Sequence, residues 1–136
     1  MGKSGTILEV SFSVFVTDED IDDIMVSALE GGINYWCDVA KVEESNRVSA
    51  WGHEQIARGG SLKLHVIEPF DNDGTEWYEL TKEKFLNGLK RYLRTPGMEI
   101  TTLPSGNHMG LDTGQIDANG ADEIIQFALF GEVVYG

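Results

Sequence analysis

The sequence predicts an α+β fold: a small antiparallel sheet of four to five strands with about three helices packed on one face. Two periodic patterns carry this prediction. Residues 7–16 alternate apolar and polar side chains, as a half-buried strand does. Residues 81–93 repeat apolar side chains at helical spacing, as an amphipathic helix does. The chain has 136 residues, so we expect a single domain over 1–136.

In the first half of the chain, a helix is predicted to follow the strand over 7–16. Thr17 is the predicted N-cap, because the acidic residues that follow it favour the positive end of a helix dipole. The helix is expected to end at Gly31 and Gly32. Residues 33–42 are rich in β-branched and aromatic side chains and predict a second strand, and residues 49–58 predict a short helix.

The second half is predicted to be a hairpin followed by two helices. The hairpin has strands over 62–66 and 77–80, because the turn residues 71–74 lie between them. The remaining predicted elements are a helix that Thr81 begins and Pro96 and Gly97 end, a loop over 98–116, a helix over 117–130 and a short strand over 132–135.

The charge of the chain limits its partners. Asp and Glu total 23 against 10 Lys and Arg, for a formal net charge of −13. This field repels DNA and RNA, so no direct nucleic-acid partner is expected. The charge fits either a polyanion mimic that occupies a partner's basic groove or a soluble oligomer. No leader and no membrane span are predicted, and Cys37 has no second cysteine to pair with, so we expect a cytoplasmic protein.

The motif search predicts neither catalysis nor a bound metal. Asp112, Thr113 and Gly114 spell the aspartic-protease triplet, but too few residues follow it to complete a protease half, and a turn is the preferred interpretation. The three histidines and Cys37 show no metal-ligand spacing, and no phosphate-binding loop motif occurs. No catalytic residue, metal or cofactor is therefore predicted.

Three stretches carry a family resemblance: DEDIDDIMVSALEGGINYWCD (18–38), EQIARGGSLKLH (54–65) with WYELTKEKFLNGLKRYL (77–93), and DEIIQFALFGEVVYG (122–136). They resemble small acidic proteins of phages, prophages and gut Firmicutes, and in particular the first Thoeris anti-defence family. Members of that family bind a cyclic ADP-ribose signal without cleaving it, as oligomers whose pockets lie between protomers. The resemblance implies a phage-encoded sponge, a homo-oligomer in the cytoplasm of the infected bacterium.

A nucleotide ligand calls for an aromatic face, polar groups for ribose and base edges, and donors for phosphate. The predicted ligand-binding residues are Trp36 or Phe85 for stacking, Gln55 and Asn87 for polar edges, and Arg58, Gly59 and Gly60 for phosphate. Each group has a structural alternative. The two aromatic residues also fit core packing, and the Arg58 segment also fits a helix C-cap.

Two other functions remain open at this stage. The first alternative is an acidic inhibitor that mimics nucleic acid and blocks a host defence nuclease, as an anti-CRISPR protein does. The second is an enzyme that degrades a nucleotide signal, which the missing catalytic motif disfavours. Intact ligand recovered after heating distinguishes a sponge from an enzyme, whereas a mimic binds no small molecule and loses its partner as salt rises.

Overall fold

Helices and strands alternate along the chain in this computed structural model, which describes residues 2–11, 13–95, 102–105 and 108–136. The elements formed by these residues are β1 Val14–Phe15, α1 Asp18–Ser27, β2 Cys37–Val42, β3 Leu62–Val66, β4 Trp77–Leu80, α2 Lys82–Leu93, β5 Thr102–Ser105, β6 His108–Leu111 and α3 Ala118–Phe130. The predicted α+β class is confirmed.

The strands form two small sheets rather than one. In the first, β2, β3 and β4 are antiparallel in that order, and the predicted β3–β4 hairpin is confirmed. The second has the order β1-β6-β5, in which β1 runs parallel to β6 and β5 antiparallel to it. Leu62, Leu64 and Val66 of β3 are buried while Lys63 between them is exposed, so one face of the first sheet covers the core.

Helix α1 begins where the sequence predicts. The Thr17 hydroxyl accepts the Asp20 N–H at 3.0 Å, and the Asp20 carboxylate accepts the Thr17 N–H at 3.0 Å, which forms a capping box. The helix then widens into a π-helical turn over Ala28–Gly32. A Cβ on Gly32 would lie 2.6 Å from the Ala118 carbonyl oxygen, so α3 requires a glycine at this crossing.

Helices α2 and α3 pack against each other through Gly88. A Cβ there would lie 2.5 Å from the Ile124 carbonyl oxygen and 2.8 Å from the Ala128 nitrogen. The apolar stripes of the helices join the β3 side chains in one buried core. Helix α3 starts at its N-cap Asp117 and ends at Gly131, whose φ of 76° is left-handed.

Four local predictions before α3 were wrong or only partly right, and the strand predicted after it was wrong as well. Among the described residues of the strand predicted over 7–16, which leave out Phe12, only Val14–Phe15 is in a ladder. The strand predicted from residue 33 begins at Cys37, and a 3-10 turn over Gly52–Glu54 replaces the short helix. The stretch predicted as a loop over 98–116 contains β5, β6 and a 3-10 turn over Thr113–Gln115. Pro96 and Gly97, the predicted helix end, lie outside the described residues.

The tail after α3 is not a strand, because a side chain takes the place of a neighbouring strand. The Gln126 Oε1 atom accepts the N–H groups of Val134 and Tyr135 at 2.8 Å each, and its amide nitrogen donates to the Tyr135 carbonyl at 3.0 Å.

Among the described residues, no helix is both long and apolar enough to cross a membrane.

Candidate functional site

A groove lies between the N-terminal segment and α2. Its volume is about 610 Å³, within the range of small-molecule sites. Its walls are mainly apolar, with two cationic side chains and one hydroxyl: Val10, Ser11, Val14, Val16, Leu86, Leu89, Lys90, Leu93 and Arg94. Such a lining suits a ligand that has an apolar body and an anionic group.

The spacing along α2 explains how the groove acquires its lining. Phe85, Leu89 and Tyr92 are buried, which fixes the rotation of the helix against the core. Leu86 and Lys90 lie one helical turn apart on the next face, and Arg94 follows one turn later as the C-cap. Cations near a helix C-terminus also interact favourably with the helix dipole.

The groove cations differ from Arg47 and Arg58, which are bound to carboxylates of the chain itself. Arg47 pairs with Glu44 at 2.7 Å, and the Arg58 guanidinium pairs with both carboxylate oxygens of Asp22 at 2.9 and 3.0 Å. No ion pair between residues that the structure describes involves Lys90 or Arg94. Both groups are exposed at the groove, where they can bind an external anion.

A second cleft of about 330 Å³ lies beside a network of polar side chains and is lined by Tyr35, Trp36, Ile67, Glu68, Tyr135 and Gly136. The Asp122 carboxylate accepts the Trp36 indole N–H at 2.7 Å, the Tyr35 hydroxyl at 2.6 Å and the Gln126 amide at 2.9 Å. Burial of the phenol oxygen, followed by its hydrogen bond to Asp122, raises the pKa of Tyr35 to about 12.

The hydrogen bonds of this network hold parts of the fold together rather than preparing a group for a reaction. All three donors to Asp122 come from the protein's own side chains, so the carboxylate has little capacity left for a substrate. A tyrosine whose pKa is about 12 stays protonated near neutral pH and cannot serve there as a general base. The network joins the turn before β2 to α3 and the tail.

His65 stands between two carboxylates on the exposed face of the first sheet. Its Nδ1 atom is 2.6 Å from Asp38, and its Nε2 atom is 3.1 Å from Glu76. The hydrogen bond to Asp38, followed by that to Glu76, raises the pKa of the His65 imidazole. Within the described residues, no group of three His, Cys, Asp or Glu side chains is arranged to hold a metal ion.

Three of the sequence-predicted ligand residues are fully buried. Trp36 stacks on Tyr135 with ring centroids 5.4 Å apart, and Phe85 belongs to the core stripe of α2. The Gln55 amide donates to the Ser49 and Trp51 carbonyls and accepts the Val48 N–H. The contacts of all three side chains are thus with the protein interior.

The remaining predicted residues lie at two separate places. Arg58 is exposed and bound to Asp22, and Gly59 beside it has a φ of 90°, while Gly60 is buried against Gln55. Asn87 is exposed on α2. Of the seven predicted residues only Trp36 lines either cleft, so the chain does not bring them together around one cavity.

Sequence reasoning missed the groove cations Lys90 and Arg94. A signal was available, because Leu86, Lys90, Leu93 and Arg94 recur at helical spacing beside the core stripe. The wall opposite could not be predicted, since Val10 and Val14 belong to a segment whose placement depends on tertiary packing.

Comparison with known proteins does not identify the family of this chain. No protein-family model, curated protein or solved structure matches the chain. The resemblance to anti-defence sponges therefore stays a prediction.

Proposed function

We propose that this chain is a non-catalytic binding protein that sequesters a small anionic ligand intact. The first ligand class to test is a cyclic nucleotide of the cyclic ADP-ribose type. In this proposal the protein is a phage-encoded anti-defence sponge that acts in the cytoplasm of the infected bacterium. Its support is the sequence resemblance together with the chemistry of the groove on α2.

The observation that carries the proposal is the pair of cations at an apolar groove. Lys90 and Arg94 lie exposed beside the leucine side chains of α2, where an ammonium and a guanidinium can bind phosphate oxygens. The apolar wall then contacts the uncharged face of a base or ribose. A volume of about 610 Å³ is sufficient for a ligand of nucleotide size.

The charge distribution supports α2 as the anion-binding element. Five of the ten basic residues lie on α2 and its C-cap, namely Lys82, Lys84, Lys90, Arg91 and Arg94. The chain as a whole has a net charge of −13, which repels an approaching anion. Local cations are therefore needed to reverse the field at the site of binding.

Calorimetric titration with cyclic ADP-ribose tests the proposal. Replacing Lys90 and Arg94 by alanine should weaken binding, because each charge-assisted hydrogen bond contributes about 1.5–3 kcal/mol. The control is Lys41→Ala with Lys63→Ala, which removes the same charge from the exposed face of the first sheet. Equal weakening in both double variants would mean that only net charge matters and would overturn the groove site.

The Arg58→Ala variant tests the sequence-predicted phosphate site separately. Unchanged affinity there, with weakened binding in the groove variant, supports the groove, and the reverse result moves the site to Arg58. Heating the complex distinguishes binding from turnover, since a sponge releases intact ligand and an enzyme releases product. An absence of nucleotide binding, with salt-sensitive capture of a host nuclease, would support the acidic-inhibitor alternative instead.

A further inference from the structure

The N-terminal segment presents apolar side chains to solvent. Residues 2–11 belong to no helix or strand and are all exposed. The exposed fractions of Ile7, Leu8 and Val10 are 92%, 82% and 74%. Three such side chains within four residues form an exposed apolar stretch interrupted only by Glu9, and exposed apolar patches mark interaction surfaces.

The same segment has the sequence of a strand, but no neighbouring strand lies beside it among the residues that the structure describes. Its side chains alternate in the two-residue period that continues into β1. Pairing to β6 begins only at Ser13, whose carbonyl accepts the Met109 N–H at 2.9 Å. Strand β1 is an edge of its sheet, because among the described strands only β6 pairs with it. An edge of this kind is a template for another strand.

The charge of the segment favours a second copy as the occupant. Residues 6–16 contain one charged side chain, Glu9, in a chain of net charge −13. Two copies repel each other over most of their surfaces, and this near-neutral segment is where they can approach closely. A basic partner protein would instead be attracted to the acidic surface.

Antiparallel pairing about a two-fold axis also matches side chains and charges. Because residues opposite each other share a face, alternation in one copy is reproduced in the other. A pair centred near Ser11 places Leu8 opposite Val14 and brings Lys3 of one copy towards the acidic first turn of α1 in the other, near Glu19. Such an interface is isologous and closes as a dimer.

We propose that residues 6–11 pair as an antiparallel β-strand with residues 11–16 of a second copy, and the reverse, extending the β1-β6-β5 sheet across a two-fold axis near Ser11. This inference rests on the sheet edge and does not depend on the proposed function. A dimer that binds no nucleotide, or a monomer that binds one, would separate the failure of one proposal from that of the other.

Native mass of the full chain is the first test. We expect a dimer of the 15.0 kDa chain, and Leu8→Asp should shift the mass to that of the monomer while circular dichroism stays native. Val48→Asp is the matched control, because it places the same charge at an exposed apolar side chain on a loop of the other sheet, and it should remain dimeric. A monomeric wild type, or a dimer that survives Leu8→Asp, would overturn the proposal.

Hydrogen exchange supplies a readout that is independent of any variant. The amides of residues 7–11 should be protected at concentrations where the mass is dimeric and should exchange freely after dilution to monomer. Fast exchange of these amides within a stable dimer would show that the copies meet through another face, and would contradict the strand pairing.

Discussion

The indole N–H of Trp36 donates a hydrogen bond of 2.7 Å to the Asp122 carboxylate in the interior of the protein. The two residues are 86 positions apart and join the turn before β2 to α3. Tyr35 donates to the same carboxylate, so neighbouring aromatic residues approach it through an indole and a hydroxyl. Tyr35 and Trp36 thus anchor α3 against the turn before β2.

Replacing Asp122 by alanine should lower the free energy of unfolding by about 2–4 kcal/mol, since it leaves the buried Trp36 N–H and its neighbours without an acceptor. Urea unfolding at neutral pH measures this loss. The control is Glu123→Ala, which removes one carboxylate at the adjacent helix position and should change stability far less. Similar losses in both variants would contradict the role assigned to the network.

Replacing Gly88 by alanine should destabilise the protein strongly, by roughly 2–4 kcal/mol, because the new methyl group overlaps α3 backbone that cannot move aside. A glycine with open space around it should not lose stability when alanine replaces it. Gly31 has no atom within 4 Å of its would-be Cβ, so Gly31→Ala should leave stability unchanged or slightly higher. Thermal unfolding compares the two, and equal effects would refute the close helix contact.

His65 should make stability depend on pH in a defined direction. Its folded-state pKa is raised by Asp38 and Glu76, so its stabilising contribution is complete below the unfolded value of about 6.5 and is lost as pH rises through the folded pKa. The pKa of Asp38 is lowered mainly by its hydrogen bond to His65. The stability that ionised Asp38 contributes is therefore lost as pH falls through the folded-state pKa of Asp38.

The wild type should therefore have a higher free energy of unfolding than a His65→Gln variant. The difference should be largest in mildly acidic solution and should vanish at alkaline pH. Urea unfolding across a pH series measures the difference between the two curves. His53→Gln is the control, because His53 takes part in none of the ion pairs between described residues. A constant difference across the series would rule out the carboxylate partners as its source.

Cys37 should be unreactive in the folded protein. The residue is buried, burial raises the pKa of its thiol to about 11, and the thiol donates to the Val39 carbonyl at 3.3 Å. Little thiolate is present near neutral pH, and thiolate is the reactive form. A colorimetric thiol reagent should react slowly with native protein and fully after unfolding in urea. Rapid labelling of the native state would contradict this burial.

Local signals in the sequence predict the helices well. Thr17 and Thr81 act as N-caps as expected, because capping depends on residues only three positions apart. The third helix lies where the sequence predicts, with Asp117 as its N-cap rather than its first residue. The β3–β4 hairpin is likewise predictable, since turn residues lie between two alternating segments. These features require no knowledge of distant parts of the chain.

Pairing between distant segments could not be predicted. Whether residues 7–16 form a ladder depends on the length over which β6 lies beside them, and β6 itself lies in a stretch whose Gly, Thr and Asn content indicates a loop. The candidate site has the same limitation. The stripe that includes Lys90 is visible in the sequence, but the opposite wall at Val10 and Val14 is brought there by the tertiary fold.

The way in which Gln126 holds the tail determines which tail positions tolerate substitution. A strand would have bound these residues through a ladder of backbone hydrogen bonds. Here the Gln126 amide holds them, together with the stacked ring of Tyr135 and its hydrogen bonds to the Glu68 carbonyl and the Tyr35 hydroxyl. Substitutions between these anchor points, such as at Glu132 or Val133, can therefore accumulate without disturbing either sheet. We expect related sequences to vary freely there while they retain the amide and the aromatic ring.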